Sequence, residues 1–481
     1  MASAPAATAP LAGPRSVEPA RPLSVEPVSG FVGDKFRVSV GGLPAGAAVD
    51  WQWVTLHGTY ETQVSGHDVL FMQRRYKEQR RSLGRSTADG RGSVEATLTA
   101  PEDYGEVHDL YAVVDGSDVA RGGYRIVRRA TISPSDGPIG TPITVEVTGL
   151  AWRAFESTMA LRYDNAYTGF VSAVTTSGAA RFRVRAAGPA GRHVLQLTAA
   201  SPGVPFLNNQ QSGTAHIDNM DLRLPFTVTA DAGPPAASTE WPSADRLAAV
   251  GRDGVPSAHV AAGISATLHP TSGDVGAEFS LAATGLPPSS GVQVVWKRAG
   301  EDEAAVPKVF REAGAVLVKA TTTQEGSLVV PLRAAGERGG WHMVTVMVEG
   351  SVRAEIPFYV RRSLQDLSPR RVRSGEQFTI ELKGGGWTEL DKGVAVTYDN
   401  SYIGYACSVT SGGDITIHLV ATGEPGTHLV DLYPMLYRHP GDHPAEYWNF
   451  ELPQLTALDD HPGLALGYQL PIFRLAVEVT D

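Results

Sequence analysis

Two decapeptides of this chain repeat one polar set. Residues 161–170 read LRYDNAYTGF and 396–405 read VTYDNSYIGY, so Tyr163, Asp164, Asn165, Tyr167 and Gly169 reappear as Tyr398, Asp399, Asn400, Tyr402 and Gly404. A carboxylate, a carboxamide and two phenols standing open to solvent would suit contact with a sugar or a protein. They do not suit catalysis, because a lone carboxylate between phenols lacks a partner base or nucleophile. Asp-Asn after an alternating stretch, with a glycine soon after, is instead what a strand reversal needs, since both residues tolerate left-handed backbone and bond their own main chain. The motif is therefore read as a structural hairpin turn with Tyr163 and Tyr167 on the flanking strands. His193 and His428, at the starts of HVLQL and HLVDL, read as strand-start residues satisfied by local bonds.

A second set is His439, Asp442, His443, Asp459, Asp460 and His461. His439 and His443 have the spacing that aligns two imidazoles on a helix, but Pro440 and Pro444 exclude that helix. No metal and no cofactor is expected. No GxSxG, HExxH, Walker or GxGxxG pattern stands in a fitting context, and the expectation is a protein that is not an enzyme.

These residues need a scaffold, and composition describes it. Among 481 residues, 52 Gly and 33 Pro accompany short polar alternations, as in an all-β chain with many turns. Such a length calls for several domains, at about 100 to 200 residues each. The balance of 41 Lys+Arg against 51 Asp+Glu gives a net charge of −10, so no nucleic-acid partner is expected. One cysteine, Cys407, excludes an internal disulfide and a CxxC site. No apolar run is long enough for a membrane span or a signal h-region.

Adding 235 to residue numbers carries Ser133–His193 onto its copy without a gap: Pro134 meets Pro369, Gly140 meets Gly375, Trp152 meets Trp387, and Gly191 meets Gly426. Adding 243 carries Pro27, Gly30, Gly33, Phe36 and Trp53 onto Pro270, Gly273, Gly276, Phe279 and Trp296. The chain is a tandem pair copied whole. A disordered Ala/Pro-rich tail is expected over 1–24, module A over 25–128, B over 129–231, a Pro/Ala/Gly linker over 232–263, A′ over 264–362 and B′ over 363–481. Alternation such as Ile143, Val145 and Val147 against Thr144, Glu146 and Thr148, with turn signals every 8 to 12 residues or so, describes a two-sheet sandwich. Four of them are expected in line, as a rod.

Module B opens on Ser133, Pro134, Gly137 and Gly140, and B′ on Ser368, Pro369 and Gly375, with Val372 at the Gly137 position. This opening resembles the IPT/TIG family of immunoglobulin-like domains, and A and A′ share it more loosely through Pro27, Gly30, Gly33 and Pro270, Gly273, Gly276. The resemblance implies an immunoglobulin-like fold and leaves function open.

Function is sought where the copies differ. Module A carries Arg74, Arg75, Arg80 and Arg81 around Tyr76, which A′ lacks, and they are candidates for an acidic or polyanionic partner surface. The last connection of B′ is long and holds Tyr433, Tyr437, Tyr447, Trp448 and Phe450. Aromatic side chains on a loop at a sandwich end make a binding edge, unless the loop seals its own domain or packs on A′. The expected function is binding or assembly, as a structural or adhesive subunit of a cell surface or extracellular particle, with protein subunits, including copies of itself, as partners. The alternatives are a carbohydrate-binding accessory chain that meets a polysaccharide, and a virion or injection-particle component.

Overall fold

The computed structural model describes residues 21–481 apart from 66–67, 154–155, 201–203, 206, 208–220, 252–254, 303–308, 409–410 and 438–450. The chain is all-β: four tandem immunoglobulin-like sandwiches, each a three-stranded sheet facing a larger one, in a duplicated A-B pair. It divides into two compact units, Met1–Leu56 with Glu78–Val127, and His57–Lys77 with Arg128–Asp481.

The first unit shows how the alternation works. Lys35–Val40, KFRVSV, buries Phe36, Val38 and Val40 and leaves Lys35 and Arg37 in water, as a period of two requires. It lies between Ser24–Glu26 and Val94–Thr99. Across the core, Tyr124 stacks on Phe36 at 4.3 Å and His108 on Trp53 at 4.6 Å. The expected tail ends earlier than residue 24, because Arg21 and Pro22 pair in parallel with Ala120 and Arg121. Residues 1–20 lie outside the described residues.

The second unit holds B, A′ and B′. A′ keeps the ring pairs of its copy, with Trp296 on His342 at 4.6 Å and Phe279 by Phe358 at 4.4 Å. In B, Ile143, Val145 and Val147 are all inside. The peptide bonds before Pro27, Pro134, Pro270 and Pro369 are cis, one at the opening of each module.

B and B′ are not strung in line. Leu429, Tyr433, Ile472 and Ala476 of B′ belong to the same apolar cluster as the core of B. The strand Ala180–Arg185, ARFRVR, explains this: Phe182 and Val184 face the core of B, whereas Arg185 on its other face is also buried, and B′ covers it. A rod is thus excluded for these two modules.

The stretch read as a linker is docked rather than free. Ser238–Glu240 adds antiparallel to Ile472–Thr480, and His259–Val260 adds to Ser351–Arg361. Asp231, just before it, accepts from Thr427 N at 2.8 Å and Thr427 Oγ1 at 2.7 Å. Ser243 caps the helix Ala244–Ala249 by accepting from Arg246 N. Pro/Ala/Gly composition misleads here because sheet edges recruit backbone groups, which every residue except proline carries in full. Arg246 donates from Nε to Asp459 O at 2.5 Å and from Nη2 to Thr175. In limited proteolysis the bond after Arg246 should therefore survive until the second unit unfolds. Prompt tryptic cleavage there, in native buffer, would show that the docking is not maintained.

Candidate functional site

The YDN repeat builds a clamp. Asp164 and Asn165 take φ of 48° and 71°, and Asp399 and Asn400 take 45° and 63°, the left-handed pair that closes a tight hairpin. Asp164 Oδ1 accepts from Val194 N at 2.9 Å while Oδ2 lies 2.5 Å from His193 Nδ1. The copy repeats both contacts, with Leu429 N at 2.8 Å and His428 Nδ1 at 2.6 Å from Asp399. Tyr163 and Tyr398 donate to Ala187 O and Thr422 O at 2.9 and 2.8 Å, and each ring stacks on the neighbouring imidazole. The motif latches hairpin to strand.

The second nitrogen of His428 donates to Glu424 O at 2.9 Å. The bond to Asp399 raises the pKa of His428 above its ordinary value, against burial, which lowers it. A base whose folded pKa lies above its unfolded value of about 6.5 stabilises the fold below that pH and loses the contribution as pH rises through the folded value. Asp399→Asn should thus lower the melting midpoint more near pH 5 than near pH 9 or so. An equal loss at both would contradict an imidazolium at position 428.

The two hairpins meet. Tyr167 sets its ring edge-on to Tyr402, with centroids 6.3 Å apart, and Asn400 donates to Arg185 O at 2.7 Å. Behind them Asp431, 2 % exposed, accepts from Arg185 and, at 2.9 Å, from Arg474. Arg474 also donates to Tyr433 Oη at 2.6 Å, Glu240 at 3.1 Å and Arg183 O at 2.8 Å. No local sequence signal announces this network, since its members lie up to 291 residues apart.

A second convergence centres on residues 451–470. Phe170 N donates to Pro453 O at 2.9 Å and Leu455 N to Phe170 O at 3.0 Å, so the B′ loop adds main chain to the edge of Ala166–Ser172. Gly169 is required there, because a Cβ would sit 2.5 Å from Pro453 O. The Asp460 carboxylate accepts, among the described residues, from Tyr60 Oη at 2.9 Å, Ser172 Oγ at 2.6 Å, Val174 N at 2.9 Å, and Thr175 N and Oγ1 at 2.8 Å. His461 accepts from Gly463 N at 2.9 Å and caps the turn Pro462–Leu466. Burial pushes its pKa down to about 3, so it stays neutral. Trp341 Nε1 donates to Leu466 O and Gln469 N to Tyr359 Oη, which ties A′ to the same loop.

The basic segment of A is an arm. Ala48–Ser65 and Asp68–Thr87 run 18 and 20 residues, against 12 and 13 for Gly291–Asp302 and Val309–Thr321 in A′. Its distal part, 57–77, belongs to the second unit. There Val69 and Phe71 enter a cluster with Phe170, Leu390, Leu436 and Leu466, and Phe71 N donates to Glu389 Oε2 at 2.9 Å.

The expected binding residues fall out differently from the reading of the sequence. Arg74 is buried against Ser157 and Arg75 forks onto Glu61 at 2.5 and 2.9 Å. In the first unit Arg80 forks onto Asp118 at 2.8 and 3.1 Å, and Arg81 reaches Asp103 at 2.9 Å. Arg74 is thus inside, while Arg75, Arg80 and Arg81 each stand beside an acid. Tyr433 is fully buried between B and B′, where burial pushes its phenol up to about 12, and so it is no loop contact. Tyr437 is half-buried, 5.9 Å from Tyr405 and 4.4 Å beneath Lys392 Nζ. Tyr447, Trp448 and Phe450 lie outside the described residues, as do His439, Asp442 and His443.

What remains open is an edge. Ser401–Cys407 is the B′ copy of Ala166–Ser172 and ends its sheet. Ile403 and Tyr405 on it are 49 % and 48 % exposed, and among the described residues nothing lies within 4 Å of a Cβ position at Gly404. Among the described residues, no segment does for this edge what 453–455 does for its twin.

No family model and no curated protein matches the chain. Among solved structures, a Salmonella alpha-2-macroglobulin mutant aligns with 96% of this chain at 9% identity and TM-score 0.18. The four-domain ICAM-5 ectodomain fragment aligns with 90% at 14% and 0.19, and covers 99% of that fragment. Invasin, a bacterial integrin-binding protein, aligns with 90% at 10% and 0.18, over 78% of its own length. The chain spans 31% of the alpha-2-macroglobulin. No helix among the described residues is long and apolar enough to cross a membrane.

Proposed function

We propose that this chain is a non-enzymatic, modular binding and assembly protein of a cell surface or extracellular particle, built from IPT/TIG-like modules, and that it joins a partner subunit by strand addition at the Ser401–Cys407 edge of B′. The observation that carries this reading is the inequality of the twin edges: one is already augmented by the chain's own Pro453–Leu455 backbone, whereas its copy presents Ile403 and Tyr405 to solvent. An unpaired edge with apolar side chains recruits an extended strand, because main-chain bonds supply affinity and alternate side chains supply selectivity. A role without catalysis is supported by the use made of the central acids. Asp460 and Asp431 are engaged by hydrogen bonds that hold modules together.

The test is a photoreactive residue in place of Tyr405 in the full chain, irradiated in extracts of the native source and in the purified protein. Cross-links to one defined subunit, or to a second copy, are expected, and Ile403→Lys with Tyr405→Lys should abolish them, since edge lysines oppose pairing. Absence of any defined cross-linked species, or an unchanged pattern in the double variant, would sink the assignment.

A further inference from the structure

Trp241 lies in the stretch that composition marks as a linker, one residue beyond Ser238–Glu240, and 36 % of it is exposed. It forms the common wall of two clefts. One, of about 300 Å³, has Leu455, Leu458 and Ile472 among its lining residues, with Arg183, Glu240 and Asp459 around them. The other, of about 330 Å³, has Ser238, Asp274, Arg361 and Ser363 among its lining residues with Trp241. Both volumes stand at the small end of the range for small-molecule sites, about 300 to 1,000 Å³.

The chemistry of the lining is specific. Arg183 lies 3.8 Å from Glu240, and Arg361 lies 3.1 Å from Asp274 with its guanidinium carbon 5.8 Å from the centre of the Trp241 ring. Each of these arginines therefore stands beside an acid, and the lining carries donors and acceptors without a strong net charge. Asp459 lines the first cleft, and its carboxylate is bonded to no group among the described residues, although its main chain is fixed by Thr456 O and Arg246. Burial raises its pKa, so it gains from a hydroxyl donor. A ligand that answers this lining has one apolar face for the indole and a ring of hydroxyls that both donate and accept, and it carries no net charge.

We propose that Trp241 is the stacking platform of a glycan-binding site, in which a neutral pyranose lies on the indole beside Asp459 and Arg183 and the next sugar of the chain continues past Trp241 toward Asp274 and Arg361. An aromatic face contributes large contact area at small entropy cost, and the few placed polar groups fix orientation. Two clefts joined at one ring suit an oligosaccharide better than a single sugar. This inference does not rest on the edge of B′: the cross-linking residue at 405 and the stacking residue at 241 are tested by separate variants, so either can fail alone.

The probes are cellohexaose, maltohexaose, chitohexaose, xylohexaose and mannohexaose, with heparin as an acidic control, titrated calorimetrically into the full chain. At least one neutral hexasaccharide should bind. Trp241→Ala should weaken it about tenfold or more, Trp241→Phe should retain most of the affinity, and Asp459→Asn should weaken it severalfold, each with an unchanged circular dichroism melt. If Trp241→Ala loosens the fold, the comparison of Trp241→Phe with Asp459→Asn decides, since loss in the second and not the first still requires a ligand at the carboxylate. The proposal is overturned if no neutral probe binds at millimolar concentration, if only heparin binds and salt removes it, or if Trp241→Ala binds as the wild type does.

Discussion

Asp431→Ala should lower the stability of the second unit by about 3 to 5 kcal/mol, the usual cost of removing one partner from a buried ion pair. The carboxylate is 2 % exposed and stands between Arg185, on a B strand, and Arg474, on a B′ strand. Without it two guanidinium groups stay buried with one carboxylate, Glu240, left near Arg474. Carbonyl oxygens of Leu475 and Arg183 still accept from them, but these cannot neutralise charge. Urea unfolding followed by circular dichroism reads the loss, and Asp431→Asn, of equal size, should share most of it. A cost under about 1 kcal/mol would mean that water screens the pair, as at an exposed surface. Replacing Arg185, Asp431 and Arg474 together by apolar residues should restore much of the stability, because desolvation offsets most of what such a network contributes. The network would then serve to select which faces of B and B′ meet.

Phe71→Ala has the next largest expected effect. The ring is fully buried among Phe170, Leu390, Leu436 and Leu466, and truncating a buried phenylalanine costs about 3 to 5 kcal/mol. The loss should fall first on the arm tip, because that tip is held by this cluster together with the bonds of Tyr60 to Asp460 and of Phe71 N to Glu389. New tryptic cleavage after Arg74 or Arg75 in native buffer is the expected readout, together with a lower melting midpoint. If Phe71→Ala changes neither the digest nor the midpoint, the tip is not anchored by its ring. Phe71→Leu should sit between the two, since it keeps apolar volume and loses the ring shape.

The fold was largely legible because its evidence is local. Alternation such as Phe36, Val38 and Val40 sets which face of a strand is wet within six residues, and the turn chemistry of Asp164-Asn165 depends on two φ angles. Duplication added a second reading of every module, and the matched ring pairs Trp53 with His108 and Trp296 with His342 keep the same 4.6 Å spacing. Of the clamp histidines the sequence showed the local side, the contacts with Pro189 O and Glu424 O four residues back, but not Asp164 and Asp399, each 29 residues away.

The candidate sites were less legible, and the reason is partner identity. An arginine in sequence shows its charge but not the acid that meets it, so Arg75 and Arg80 read as open until Glu61 and Asp118 appear beside them. Tyr433 reads as a loop aromatic because the strand Gly426–Tyr433 ends on it, and only the packing of B′ against B turns it inward. The 232–263 stretch reads as a linker because side chains carry the composition signal, whereas its docking through Ser238–Glu240 and His259–Val260 is made by backbone. By itself, then, the sequence determined four sandwiches, their duplication and their turns, all set by short-range sterics and burial of alternate residues. Tertiary structure alone decided that B and B′ share one core, that the B′ loop spends its described length within the chain, and that Trp241 stands between two clefts, because each of these depends on surfaces brought together across more than 200 residues.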